Sequence, residues 1–264
     1  LQESEYFVFR MYCAHITTQY LYGAAEVLIF RLPAVNSLEI KRIPLMTEHL
    51  HDTKTIRYLK DTELRRGSIK AGDSLDIGTA EPFKTYPQAK RISLPRARWS
   101  LHEARIIPLM QQRRSRRSFS SDPVTPDGLA FLLWGGQGRT AQAGRHYLRT
   151  APSAGALYPI ESYVSVQNVE GIAQGLYHFD PVSFQLELLL ARDIGKELSR
   201  ACLNQQFMDR AALNIIWTAI PKRSLAKYGE RGGRYVMMDV AHICQNTLLA
   251  AEALDCGGCP VAAF

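Results

Sequence analysis

The chain has 264 residues, of which 46% are hydrophobic and 22% are charged. This is the composition of a globular protein and excludes a wholly disordered chain. The formal net charge of +7 indicates an anionic partner and leaves a phosphate ligand, a nucleic acid and a membrane surface open. No apolar stretch of the sequence reaches the roughly 20 residues of a membrane span.

The N-terminal third carries few structural signals. Residues 1–47 show no sustained period of 2 or 3.6, so we leave them as an unassigned segment and expect the native start near Met46. Residues 48–99 are polar and contain Pro87 and Pro95, which predicts an extended arm or linker with little regular structure.

From residue 100 onward the patterns predict alternating helices and strands. Thr125 is a good N-cap and Pro126 suits the first helical position of a helix that we expect to end at Gly135 and Gly136. The other predicted elements are a helix over 101–112, a loop over 137–151, a strand over 160–166, a hairpin of 176–179 with 184–188, a helix over 193–203, a central strand over 213–220 and a long helix over 235–254.

The five cysteines are an odd number and lie far apart, which favours a reducing compartment, the cytoplasm, over a disulfide scaffold. Cys256 and Cys259 have CxxC spacing. A structural zinc site needs about four ligands, and the sequence offers no second pair, so we expect no metal. A redox pair remains the weaker alternative because no strand-to-helix context precedes it.

Four short segments could carry chemistry. The first is an arginine cluster, Arg113-Arg114-Ser115-Arg116-Arg117. Guanidinium groups bind phosphate bidentately and a serine hydroxyl adds a donor, although a solvated charge run or a nucleic-acid patch would have the same composition. Against the nucleic-acid alternative, the cluster has no interleaved aromatic residues and no recognised binding motif.

The other three segments are weaker taken singly. Residues 152–159 are small enough to let backbone approach a flat ligand, or are an ordinary loop before a strand. Lys227 and Tyr228 can share a proton, and either could act as a base, or they belong to a solvated loop before a helix. Residues 259–264 are apolar and offer backbone amides without acid or base groups.

The order and spacing of the four segments resemble the FMN-dependent nitroreductase-like superfamily, and within it the SagB-type dehydrogenases, which include azoline oxidases. The resemblance covers about residues 100–264, with a weaker similarity in 53–54, 83–87 and 94–95. It implies an α+β fold, with a central, mainly antiparallel sheet flanked by helices, and an intertwined homodimer. It also implies FMN as cofactor and a modified precursor peptide and synthetase proteins as partners.

The resemblance also assigns roles to individual residues. The RRSxR signature that holds FMN matches Arg113, Arg114, Ser115 and Arg117. The PSAG segment, which lies against the flavin ring and usually comes from the partner subunit, matches Pro152, Ser153, Ala154 and Gly155. The segment whose backbone N–H approaches flavin N5 matches Ala262 and Ala263, the latter standing where many relatives have Gly. The proton-removing pair matches Lys227 and Tyr228.

The resemblance leaves three functional alternatives. The first is oxidation of a thiazoline or oxazoline ring, with proton removal by Lys227 or Tyr228 and hydride transfer to flavin. The second is an NAD(P)H-dependent nitroreductase or quinone reductase, which needs no dedicated base. The third is an inactive remnant, because relatives continue for several tens of residues beyond the segment that ends at Phe264.

Overall fold

The computed structural model describes residues 7–10, 27–30, 54–62, 75–78, 80–95, 104–144 and 146–263. The chain divides into two compact units between residues 73 and 74. In the first unit, strands β1 (Phe7–Arg10) and β2 (Val27–Phe30) pair antiparallel, and α1 spans Lys54–Asp61. The native start that we expect near Met46 lies outside the described residues.

The second unit contains the remaining described elements. Its strands are β3 (Lys90–Ser93), β4 (Arg139–Ala143), β5 (His146–Arg149), β6 (Ile160–Val166), β7 (Gly175–Asp180), β8 (Gln185–Leu190) and β9 (Leu213–Ala219). Its helices are α2 (Ile106–Gln112), α3 (Pro126–Gln137), α4 (Gly195–Ala201), α5 (Phe207–Arg210), α6 (Lys222–Tyr228) and α7 (Gly232–Ala253).

Five strands form the central sheet in the order β3-β8-β7-β6-β9, and every neighbouring pair is antiparallel. The predicted α+β fold class, the strand over 160–166 and the hairpin of β7 and β8 are confirmed. The prediction that 213–220 is a central strand is wrong, because among the described residues β9 pairs only with β6 and forms one edge of the sheet.

The two faces of this sheet differ in chemistry because side chains alternate along each strand. One face is apolar and packs on α3, and its buried core includes Val164, Tyr177, Phe179, Leu186 and Leu129. The opposite face carries buried polar side chains, namely Glu161, Tyr163, Ser165, His178 and Glu187.

The polar face is covered by the segment 80–89, which leads into β3. Tyr86 makes a hydrogen bond of 3.0 Å from its hydroxyl to that of Tyr163, and its backbone N–H donates to Glu187 Oε2 at 3.2 Å.

The expectation of little regular structure over 48–99 is wrong at α1 and β3, which are a helix and a strand within this range. Part of this arm belongs to the compact unit that contains the sheet.

Two glycines expected to end α3 instead lie inside it. A Cβ at Gly135 would lie 2.9 Å from the Ala250 Cβ, and one at Gly136 would lie 2.6 Å from the Thr247 Oγ1. Both contacts are with α7, so the glycines allow the two helices to pack closely. The helix continues to Gln137, and the predicted loop after it contains the β4–β5 hairpin.

Helix boundaries differ from the predictions by a few residues. The α2 helix begins at Ile106, because residues 104 and 105 are not helical, and residues 101–103 lie outside the described part. The long predicted helix corresponds to α7, which begins at Gly232 and ends at Ala253. The helices α5 and α6 were not predicted. Among the described residues, no helix has the length and apolar content to cross a membrane.

Candidate flavin site

The arginine cluster follows α2 and lies against the turn that ends α7. Ser115 forms a parallel bridge with Gly258, and the backbone N–H of Arg116 donates to the Gly258 carbonyl at 3.0 Å. A segment distant in sequence thus fixes the backbone of the cluster. Ala262 and Ala263, which are exposed, follow Gly258 by four and five residues.

The arginines of the cluster divide into one structural residue and three without a carboxylate partner. Arg116 donates to both Glu252 oxygens, at 2.6 and 2.8 Å, and these hydrogen bonds lower the pKa of Glu252. In the part of the chain that the structure describes, Arg113, Arg114 and Arg117 have no ion pair with a carboxylate. The variable position of the RRSxR signature is therefore the arginine that the fold itself uses.

Of the three remaining arginines, Arg114 and Arg117 are exposed and Arg113 is half-buried. Arg114 donates to the carbonyls of Gln111 and Arg113, at 3.0 and 2.8 Å, and is exposed. The Arg117 guanidinium lies 5.8 Å from the ring centroid of Phe207. Ser115 is also exposed. The donors predicted from sequence thus form an accessible cationic surface.

The PSAG segment is held by a residue that the sequence patterns did not single out, Asp239 on α7. The Ser153 hydroxyl donates to Asp239 Oδ2 at 2.5 Å, and the Ala154 N–H also bonds this carboxylate. Burial raises the pKa of Asp239, although these two hydrogen bonds favour its ionised form. A carboxylate at a buried position of a mostly apolar helix was the signal in the sequence that could have identified it.

The backbone after Ser153 is strained. Gly155 has a φ of +63°, and Ala156 and Tyr158 have φ values of +54° and +44°, in the left-handed region that non-glycine residues rarely adopt. The Tyr158 N–H donates to the Ser153 Oγ at 2.9 Å, and its hydroxyl accepts from the Arg149 N–H at 3.0 Å. Such strain persists only where surrounding contacts fix the conformation, and it clusters at functional sites.

The two residues predicted to remove a proton, Lys227 and Tyr228, lie directly over Gly155. A Cβ at this glycine would lie 2.6 Å from both the Lys227 Nζ and the Tyr228 hydroxyl. Lys227 is exposed, whereas Tyr228 is half-buried and packs its ring edge-on against Tyr235, with centroids 4.9 Å apart. The structure therefore brings together two segments that are 70 residues apart and that were predicted separately.

The two groups of predicted residues contact α7 at well-separated positions. Asp239, seven residues after the start of the helix, holds the PSAG segment, and Glu252, next to its last residue, holds the arginine cluster. These two residues are 13 positions apart, which corresponds to about 20 Å of helix at 1.5 Å per residue. One chain thus presents a cationic surface near Glu252 and, near Asp239, the backbone of the PSAG segment with Lys227 and Tyr228 over it.

Comparison with known proteins identifies the family to which this chain belongs. Residues 110–264 match the model of the nitroreductase family. The chain belongs to that family. The fold agrees, since the structure of a proposed nitroreductase from Anabaena variabilis superposes with a TM-score of 0.60 at 24% identity, over 86% of this chain and 44% of that one.

Curated relatives extend the family assignment. A proposed nitroreductase of Methanocaldococcus jannaschii, MJ1384, is 37% identical over 62% of this chain and 81% of its own. The trifolitoxin-processing protein TfxB of Rhizobium leguminosarum is 34% identical over 42% of this chain and 31% of its own. The microcin B17-processing protein McbC of Escherichia coli is 29% identical over 40% of this chain and 41% of its own. This nitroreductase-family chain therefore has homologues in peptide processing.

The arginine cluster of this nitroreductase-family protein fits the phosphate of a flavin mononucleotide. Arg113, Arg114 and Arg117, which have no carboxylate partner among the described residues, and the exposed Ser115 hydroxyl are a donor set suited to a phosphate. At the PSAG segment, the missing side chain of Gly155 lets the Lys227 Nζ and the Tyr228 hydroxyl approach the backbone, where any Cβ would collide with them.

Proposed function

We propose that the protein is an FMN-dependent oxidoreductase of the SagB type that oxidises a thiazoline- or oxazoline-like ring in a modified peptide. The observation that carries the proposal is the position of the Lys227 Nζ and the Tyr228 hydroxyl over Gly155. The peptide-processing homologues TfxB and McbC support this substrate class.

In this proposal the arginine cluster holds the cofactor. Arg113, Arg114, Ser115 and Arg117 bind its phosphate, ribityl chain and ring edge. Residues 152–155 and the backbone N–H of Ala262 or Ala263 would hold its ring. FMN, when bound, supplies the acceptor for a hydride.

Lys227 and Tyr228 supply the proton chemistry. Converting an azoline to an azole removes two hydrogens from the ring, one as a hydride and the other as a proton. Lys227 is exposed and able to reach a substrate, and Tyr228 lies beside it, with its ring centroid 5.3 Å from the Nζ. One of the two groups takes the proton from ring carbon as the general base.

The direct test uses FMN-loaded protein and a synthetic azoline-bearing peptide without oxygen. We expect the visible flavin absorption to bleach while the peptide loses the mass of two hydrogens. Retention of both the colour and the peptide mass, in protein that dithionite does bleach, would contradict the proposal.

A second candidate function is an NAD(P)H-dependent reductase of nitroaromatics or quinones. The 37% identity to the proposed nitroreductase MJ1384 favours it. This activity needs an open flavin face and no base. Oxidation of NADPH by a nitroaromatic in the presence of the purified protein, unaffected by substitution of Lys227, would identify it.

The separation of about 20 Å along α7 between Asp239 and Glu252 supports a homodimer with composite sites, in which one copy supplies the arginine cluster and the other supplies Gly155, Lys227 and Tyr228. The precursor peptide and partner synthetase proteins would then approach the open side of each site. This arrangement predicts complementation between variants.

We expect heterodimers of an Arg113→Ala copy and a Lys227→Ala copy to regain about half of the wild-type activity. One of their two sites then carries both lesions and the other carries neither. Differently tagged copies, co-expressed and purified through both tags, provide the heterodimer, and two wild-type copies with the same tags provide the control. If each site lay within one chain, each would keep one lesion and the heterodimer would stay inactive.

A further inference from the structure

The first turn of α6 contains a buried arginine that holds three separate segments together. Arg223 is 5% exposed. Its Nε donates to the Glu81 carbonyl at 2.7 Å, and its Nη1 donates to the Tyr158 carbonyl at 3.0 Å and contacts the Glu161 carboxylate at 2.6 Å. These bonds join α6 to the segment 80–89 that covers the polar face, to Tyr158, three residues after the PSAG segment, and to strand β6.

The carboxylate opposite Arg223 is part of a longer chain of buried polar groups on the sheet. Glu161 Oε2 lies 3.0 Å from the His178 Nε2, and the Nδ1 of the same ring lies 3.0 Å from Glu187 Oε2. Arg91 on the edge strand lies 3.3 Å from the second Glu187 oxygen. Burial opposes ionisation of Glu161, yet His178 and Arg223 outweigh it and lower its pKa.

This row of buried polar side chains is held in place for two reasons. The side chains of Glu161, His178 and Glu187 are at most 5% exposed, and each lies on a strand of the five-stranded sheet. Removing one partner from such a network leaves a buried charge uncompensated, so the network resists rearrangement. Arg223 therefore ties α6 to the buried polar groups of the central sheet.

Arg223 joins the two segments that form the proposed proton-removal site, namely α6 and the backbone that follows Gly155. Lys227 follows Arg223 by four residues, one turn of the same helix. Tyr158, whose carbonyl Arg223 binds, follows Gly155 by three residues within the strained segment. The Arg223 guanidinium thus connects α6, which carries Lys227, to the backbone segment that Lys227 faces.

We propose that Arg223, anchored by Glu161, is a positioning residue that sets the place of Lys227 and Tyr228 over Gly155. This role rests on the proposed function for its catalytic consequence, but its structural consequence can be measured without it. Lysine at this position keeps the positive charge opposite Glu161 and loses the planar fork that reaches both carbonyls.

The test follows Tyr228 by ¹⁹F NMR in FMN-loaded protein labelled with 3-fluorotyrosine. Tyr228→Phe assigns the resonance among the 12 tyrosines. The variant is Arg223→Lys, and the matched control is Arg192→Lys, whose arginine pairs with Glu197 at 2.6 Å on the surface with 54% of its side chain exposed. Azoline turnover is measured on the same samples.

We expect Arg223→Lys to move the Tyr228 resonance and to lower kcat about tenfold, with the flavin content and the peptide KM unchanged. The control should change neither. An Arg223 that only stabilised the fold would lower the unfolding midpoint and leave the Tyr228 resonance of the folded protein in place, which overturns the proposal.

Two further outcomes are decisive. If Arg223→Lys does not fold, Glu161→Gln, which keeps an acceptor but removes the charge, must move the same resonance, and an unmoved resonance overturns the proposal. If the resonance moves but the wild type oxidises no azoline, the positioning role stands and the proposed function fails.

Discussion

Lys227→Ala should strongly lower the rate of azoline oxidation and leave a yellow, FMN-loaded protein. A positioned general base contributes about 100- to 10,000-fold to a rate, so we expect kcat to fall within that range. The side chain is exposed and its loss opens no cavity, so the unfolding midpoint should remain nearly unchanged. Single-turnover bleaching of the flavin by the peptide measures the step directly.

Two variants on the same helix make this result specific. Lys222→Ala removes an equally charged, exposed lysine from the start of α6 and should leave kcat unaltered. Tyr228→Phe keeps the ring packed on Tyr235 and removes only the hydroxyl, so its effect separates the base from its neighbour. Wild-type turnover in both Lys227→Ala and Tyr228→Phe would contradict the assignment of these two residues to proton removal.

The sequence predicted the local parts of the site better than their arrangement. The resemblance assigned Arg113, Arg114, Ser115 and Arg117 to cofactor binding, and among the described residues the three arginines have no carboxylate partner. The contact of Gly155 with Lys227 and Tyr228 depends on how the turn before β6 meets the end of α6. That contact joins residues more than 70 positions apart, and no local pattern encodes it.

The sequence patterns did not identify residues that act only through tertiary contacts. Arg223 looked like one of many basic residues, and only burial beside Glu161 distinguishes it. Gly135 and Gly136 carried a strong local signal for a helix end, but close packing on α7 overrides that preference. Local propensity therefore predicted β6 to β9 and several helices, while packing determined their ends and neighbours.

Gly155→Ala should lower kcat about 100-fold while the protein still folds. The new Cβ would lie 2.6 Å from both the Lys227 Nζ and the Tyr228 hydroxyl, so these two groups must move away. A displacement of about 1 Å at a reacting group can cost about 100-fold in rate. The substitution also places alanine at a φ of +63°, which costs about 1 to 2 kcal/mol of stability.

A second glycine separates the collision from the backbone cost. Gly171 has a φ of +65°, and a Cβ there would have no neighbour within 4 Å. Gly171→Ala should therefore match Gly155→Ala in its loss of unfolding free energy, measured by urea denaturation, and keep wild-type kcat. The difference in kcat between the two variants isolates the contact over Gly155. Equal kcat values in the two alanine variants would mean that Lys227 and Tyr228 do not act from the position in which the fold holds them.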